Sequence, residues 1–227
     1  MSSAHTATAL HRTEQIPAGQ IKLEGELSVP AGATGVVLFA HGSGSSRHSP
    51  RNQFVARTIR EAGVGTLLFD LLTQEEEVID TRTRQLRFNI EFLAERLLNA
   101  THWIKEQSNT RDLRVGYFGS STGGGAALVA AAAPGEAIGA VVSRGGRPDL
   151  AGDALPRVTA PTLLIVGGRD YPVIEMNQEA YAQMRCEKEL KFVAGATHLF
   201  EEPGALEEVA HLAADWFRKY LHSDEIT

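Results

Sequence analysis

Six short apolar runs punctuate the chain: GVVLFA (35–40), VGTLLFD (64–70), RVGYFG (114–119), AIGAVVS (137–143), PTLLIVG (161–167) and LKFVAG (190–195). Most are continuous rather than alternating, so a strand built from one has no polar face to turn to water, and helix-length segments separate them. A parallel sheet covered by helices on both faces buries such strands. Ahead of the first run, QIKLEGELSVP (20–30) alternates apolar and polar residues, as an antiparallel edge strand with one wet face does. The pattern predicts about eight strands, two leading antiparallel ones and then six parallel. Leu86, Ile90, Leu93, Leu97, Thr101 and Ile104 recur at helical spacing, as do Leu206, Val209, Leu212, Ala213, Trp216 and Tyr220, which predicts two amphipathic helices.

At 227 residues the chain is long enough for one full-sized α/β core, and it contains no internal repeat or low-complexity linker. Residues 1–19 are expected to form a loose tail and the first edge strand, and residues 20–222 a single domain. A net charge of −6 without a basic stripe argues against nucleic acid as a partner. One cysteine, Cys186, excludes an intrachain disulfide, and no Cys/His spacing matches a zinc site. The first residues lack the apolar core of a signal peptide, and no apolar run approaches the ~20 residues that cross a bilayer. The expectation is a cytoplasmic protein with a small-molecule partner, no membrane partner, no metal and no cofactor, either monomeric or homodimeric.

In a sheet of this kind chemistry gathers beyond the C-terminal ends of the strands. At one such end, GSSTG (119–123) fits G-x-S-x-G, between an apolar run and the small-residue segment GGAALVAAAA (124–133). There a strand turns so abruptly into a helix that the middle serine, Ser121, is strained and exposed, while the flanking glycines remove Cβ atoms that would clash. A serine hydroxyl needs a base and a residue to orient that base, following in the order Ser, Asp, His. Asp170 closes the PTLLIVGGRD run, and His198 lies between the last apolar run and the final helix. Of the other seven histidines, His5, His11 and His222 lie near the termini, His102 and His211 fall on predicted helices, His48 sits in a polar loop, and His41 precedes Gly42. In FAHGSGSSRHSPRN (39–52) the His-Gly turn lets the Ser43 amide join that of Thr122 in an oxyanion hole, with His41 shaping the loop. The stretch lacks the Gly-Lys-Ser/Thr ending of a P-loop.

Residues 71–88 follow another strand end, and Leu72 and Ile79 are expected to cover part of the pocket. Arg144 and Arg147 face two readings: contact with an anionic leaving group, or surface pairing with Asp149 or Asp153. Three functions fit this constellation. The leading one is a serine hydrolase of carboxylic esters; the others are a phosphotriester hydrolase using the same serine and a non-catalytic binder that uses the pocket as a receptor.

The HG turn, GxSxG elbow, GGxD turn and ATH loop, in that order from about Gln20 onward, resemble the α/β-hydrolases and among them the dienelactone-hydrolase-like branch. The resemblance implies an α/β-hydrolase fold without a large cap, and hydrolysis of small or medium esters, lactones or thioesters through an acyl-Ser121 intermediate, with His198 as base and Asp170 orienting it. Three departures stand out. Ser121 replaces the family's cysteine, Gly42 stands where a glutamate would roughly align, and Glu201 and Glu202 follow His198 where no substrate-binding arginine is matched. These point away from dienelactone itself as the substrate.

Overall fold

The computed structural model describes residues 9–222. Eight strands form one sheet: β1 (Leu10–Ala18), β2 (Ile21–Val29), β3 (Gly35–Ala40), β4 (Gly65–Phe69), β5 (Arg114–Ser120), β6 (Ile138–Arg144), β7 (Thr162–Gly167) and β8 (Lys188–Val193), in the order β1-β2-β4-β3-β5-β6-β7-β8. Strands β3 to β8 pair in parallel, and only β2 runs against the rest, antiparallel to both β1 and β4. The six apolar runs each became a parallel strand, as their continuous hydrophobicity requires. β3, β4 and β7 are buried along their whole length.

One expectation is corrected at the N-terminus. The alternating segment at 20–30 forms β2, but it is not an edge: β1 lies outside it, pairing from Leu10↔Val29 to Ala18↔Ile21. β1 itself lies within residues 1–19, where a loose tail and the first edge strand were expected. Its alternating burial faces water on one side, and Pro17 is tolerated because an edge strand has a free N–H side. The part of the expected tail at residues 1–8 lies outside the described residues.

Helices α1 (Pro50–Glu61) and α6 (Ala205–Leu221) pack on one face, where Val55, Ile59, Val209 and Phe217 are buried against Val37, Phe39 and Phe118. Helices α3 (Ile90–Glu106), α4 (Thr122–Ala131) and α5 (Tyr171–Gln183), with a 3-10 segment at Pro148–Arg157, cover the other face. The two predicted amphipathic helices are α3 and α6. Leu86 lies ahead of α3, whose N-cap is Asn89, accepting the Phe92 N–H. The 71–88 segment contains a further helix, α2 (Gln74–Thr83), started by a reciprocal capping box between Thr73 and Glu76. No large cap is present among the described residues.

Helix α4 carries the central constraint. Its glycines and alanines let it lie against the sheet at backbone distance: a Cβ on Gly123 would sit 2.0 Å from the Ala40 carbonyl oxygen, and one on Gly124 2.6 Å from Ser143 Oγ. Backbone cannot yield as a flexible side chain does, so Gly123→Ala is expected to lower stability by about 3 kcal/mol or to prevent folding. Urea denaturation checks this; a variant within about 0.5 kcal/mol of wild type contradicts the close approach.

Candidate active site

The site grows from the β5–α4 junction. Ser121 is the N-cap of α4 and has φ 51° and ψ −123°, a region rarely entered by a residue with a β-carbon. Gly119 permits the turn, since a Cβ there would meet the Gly123 oxygen at 2.4 Å. The Ser121 N–H donates to the Arg144 carbonyl at 3.4 Å, and its own carbonyl accepts from Gly124 at 3.0 Å and Arg147 at 2.9 Å. Ser121 is half-buried, and the first-turn amides of α4 that have no intrahelical acceptor lie beside it.

The loop after β3 is set against the same point. Gly42 abuts Ser121, as a Cβ there would lie 3.0 Å from Ser121 Cβ. Ser43 Oγ and Thr122 Oγ1 are 3.1 Å apart, which ties this loop to the start of α4. His41 is buried: its Nε2 accepts the Leu71 N–H at 3.0 Å, and Nδ1 lies 3.0 Å from the Gly42 carbonyl. Those partners require a neutral ring with the proton on Nδ1. Burial lowers its pKa, against the opposing pull of the Gly42 carbonyl, Asp70 and Glu77. These two bonds tie the loop after β3 to the chain after β4.

Asp170 and His198 come from the loops after β7 and β8, which are bound to each other by backbone. Gly168 donates to Val193 at 2.8 Å and Arg169 to Ala196 at 2.9 Å. Gly167 has no room for a side chain, because a Cβ would meet the Ala196 and Thr197 oxygens at 2.6 Å. This sets the register in which His198 Nδ1 meets Asp170 Oδ2 at 2.6 Å. Glu202, which sequence reasoning did not select, fixes the histidine loop by accepting from the Thr197 N–H at 3.1 Å and hydroxyl at 2.7 Å. Gly145 lies alongside the imidazole, its Cβ position 3.6 Å from His198 Cε1. Ser121 and His198 thus flank the Arg144–Gly145 segment. No hydrogen bond joins them among the described residues.

A cavity of about 610 Å³ opens beside the His-Gly loop, with His41, Ser43, Leu71, Leu72, Leu93 and Thr122 in its wall. Ser121 and His198 are not among its lining residues. Leu72 is where sequence reasoning put it, but Ile79 is not: it is 57% exposed and outside the cavity. Helix α2 instead turns Asp80 inward, where the carboxylate takes the Arg87 Nε–H at 2.6 Å and the Leu86 N–H at 2.7 Å. Arg144 departs from the surface-pairing reading. It is buried, with Nε and Nη1 lacking any protein partner, stacks its guanidinium 6.0 Å from the Phe200 ring, and lies outside the cavity wall; burial, helped by nearby Arg51, lowers its pKa to about 10. Arg147 pairs with Asp149 at 2.7 Å. Among the described residues no group of three or more His, Cys, Asp or Glu is arranged to hold a metal, and no helix is long and apolar enough to cross a membrane.

The dienelactone hydrolase family model matches residues 23–222. The chain is 60% identical to a dienelactone hydrolase from Anabaena variabilis, covering 95% of this chain and all of that one, with a TM-score of 0.92. The esterase Est1E from Butyrivibrio proteoclasticus is 18% identical, covers 92% of this chain and 98% of its own, and has a TM-score of 0.76, a likeness of fold. Two Mycobacterium tuberculosis relatives, from strains CDC 1551 and H37Rv, are 59% identical over 207 residues and bear a provisional phosphoribosyl transferase name. The match covers 91% of this chain but 46% of theirs, so the chain spans about half the length of these curated relatives.

Because the folded pKa of His41 lies below the ordinary value of about 6.5, the unfolded chain takes up the proton first. The stability this buried neutral ring contributes is present above about pH 6.5 and is lost as pH falls toward the lowered folded value. The Tm of wild type is expected to drop more than that of His41→Gln, which keeps an acceptor for Leu71 without a titrating ring, between about pH 7 and about pH 5. Equal acid slopes in a thermal melt would mean that His41 does not set the acid limit of the fold.

Proposed function

Since the chain belongs to the dienelactone hydrolase family, we propose that it is a serine hydrolase of small or medium carboxylic esters, thioesters or lactones. The observation that carries this reading is the 2.6 Å His198–Asp170 bond beside a serine held at φ 51° on a strand-to-helix elbow. In the proposed reaction Ser121 Oγ attacks the ester carbonyl while His198 Nε2 takes its proton. Asp170, bonded to Nδ1, keeps the imidazole in the tautomer whose Nε2 is free to accept. The amides of Ser43 and Thr122 stabilise the oxyanion of the tetrahedral intermediate. Its collapse releases the alcohol, protonated by His198, and leaves an acyl-Ser121 ester. Water, activated by the same histidine, then attacks that ester and frees the acid.

The substrate class follows from the surroundings. His198 is 40% exposed on its side chain, and no cap encloses it among the described residues, which suits compact substrates approaching from solvent. The cavity beside Ser43 and Thr122 is apolar at Leu71, Leu72 and Leu93 and takes the acyl chain. The provisional transferase name belongs to relatives of which this chain matches about half, and we assign to the matched part the hydrolytic step.

The first test is turnover of p-nitrophenyl acetate and butyrate by wild type and Ser121→Ala from one purification. Loss of roughly 10⁴-fold or more in kcat is expected for the alanine variant; equal turnover by the two proteins would end the proposal. Leu72→Ala is expected to shift the preferred p-nitrophenyl ester toward longer acyl chains, whereas Ile79→Ala leaves the chain-length profile as in wild type. Unchanged profiles for both variants would remove the cavity from the acyl site.

A further inference from the structure

Asn177 lies on α5, two turns after Asp170, and is fully buried. Its side-chain amide faces two carbonyl oxygens, so the NH2 group must point at them. One hydrogen goes back to Val173 in the same helix at 2.8 Å, and the other goes to Gly146 at 3.1 Å. Its Oδ1 is buried without a protein partner. A buried polar side chain with half of its capacity unused packs poorly compared with a leucine, unless the donated bond itself matters.

The bond to Gly146 leads to the nucleophile. In a trans peptide the C=O and N–H point in opposite directions, so the unit that accepts through Gly146 O donates through Arg147 N–H. That N–H reaches the Ser121 carbonyl at 2.9 Å. The next peptide repeats the pattern: the unit that accepts through Ser121 O carries the Thr122 N–H at its other end, in the first turn of α4, where no intrahelical acceptor exists. Two peptide planes in series thus connect the Asn177 amide to a proposed oxyanion donor, each polarised by the bond behind it. The first plane has little freedom, since a Cβ on Gly146 would lie 1.9 Å from Ser143 Oγ and 3.4 Å from the Gly124 α-carbon.

We propose that Asn177 is a positioning residue for the oxyanion hole, acting through the Gly146–Arg147 and Ser121–Thr122 peptides to aim and polarise the Thr122 N–H. The inference rests on the serine-hydrolase reading above for its catalytic meaning; the hydrogen-bond chain is testable by itself.

The test compares wild type with Asn177→Leu, which fills the site without a donor, and Asn177→Ser, a smaller change that serves if the leucine variant fails to fold. Hydrolysis of p-nitrophenyl acetate is measured per site labelled by a fluorophosphonate, so misfolded protein does not count. Removing an oxyanion donor outright costs roughly 10²–10³ in kcat; loss of its aim is expected to lower kcat per labelled site by roughly tenfold with KM held within about twofold. Inhibition by phenylboronic acid, which forms a tetrahedral adduct on the serine, is expected to weaken in parallel. In a ¹H–¹⁵N spectrum the Thr122 amide proton is expected to move upfield. A folded variant with wild-type kcat per labelled site and an unmoved Thr122 amide overturns the proposal, as does a fall in labelled sites alone, which is what a purely structural asparagine would give. If wild type itself neither labels nor turns over esters, the hydrolase reading fails, and the Thr122 shift still decides whether the chain of peptides exists.

Discussion

Everything at the top of this sheet depends on the backbone of Ser121 staying at φ 51°. A residue with a β-carbon in that region stores roughly 1–3 kcal/mol, and it persists only where its surroundings leave no alternative. Here the surroundings are mostly other backbone. Gly119 and Gly123 interlock across the turn, Gly123 presses on Ala40, and three backbone hydrogen bonds hold the serine peptide units. The strain lifts the side chain clear of the sheet and, through the same geometry, sets the direction of the Thr122 N–H. Relaxing it would displace the Ser121 side chain and the Thr122 N–H together.

The remaining parts reach that point on loops fixed by the same kind of contact. The turns after β7 and β8 are joined by backbone bonds before any side chain meets, so the His198–Asp170 pair inherits its register from the sheet. The loop after β3 is pinned from beneath by neutral His41, whose two ring nitrogens join it to Gly42 and to the chain after β4. By contrast, the outer wall of the cavity is a short helix held by Asp80, Arg87 and a capping box, with Val78 and Ile79 turned to water. Rigidity is concentrated around Ser121 and the His198–Asp170 pair, and the outer wall of the cavity is left more open to variation.

How much of this was legible in the residues differs from place to place. The elbow was, because its glycines are required locally: close backbone approach excludes every other residue, and a run of them between a strand and an alanine-rich helix marks the point where one backbone crosses another. That Asp170 and His198 lie at the same end of the sheet was legible because each follows closely on an apolar run. The extent of β1 was not, since its polar, proline-containing sequence shows no apolar run to bound it until β2 is there to pair with it. Ile79 misled because an apolar residue after a strand end suggests a pocket, whereas the phase of α2 depends on Asp80 finding Arg87. Arg144 misled because an arginine at a strand end is usually solvated, and only packing against Phe200 buries it.

By itself the sequence determined the layered sheet, the strained serine and the residues available to serve it, because hydrophobic period and glycine placement are properties of neighbours along the chain. Tertiary structure alone decided which side chains meet. The aspartate and histidine lie 28 residues apart in the chain, Asn177 lies 56 residues beyond Ser121, and the pairing of loops across the sheet, which no local pattern encodes, brings them to one centre at the end of the sheet. Hydrogen bonds of a few ångströms specify that centre, and distances of that kind exist only after the strands have been placed side by side.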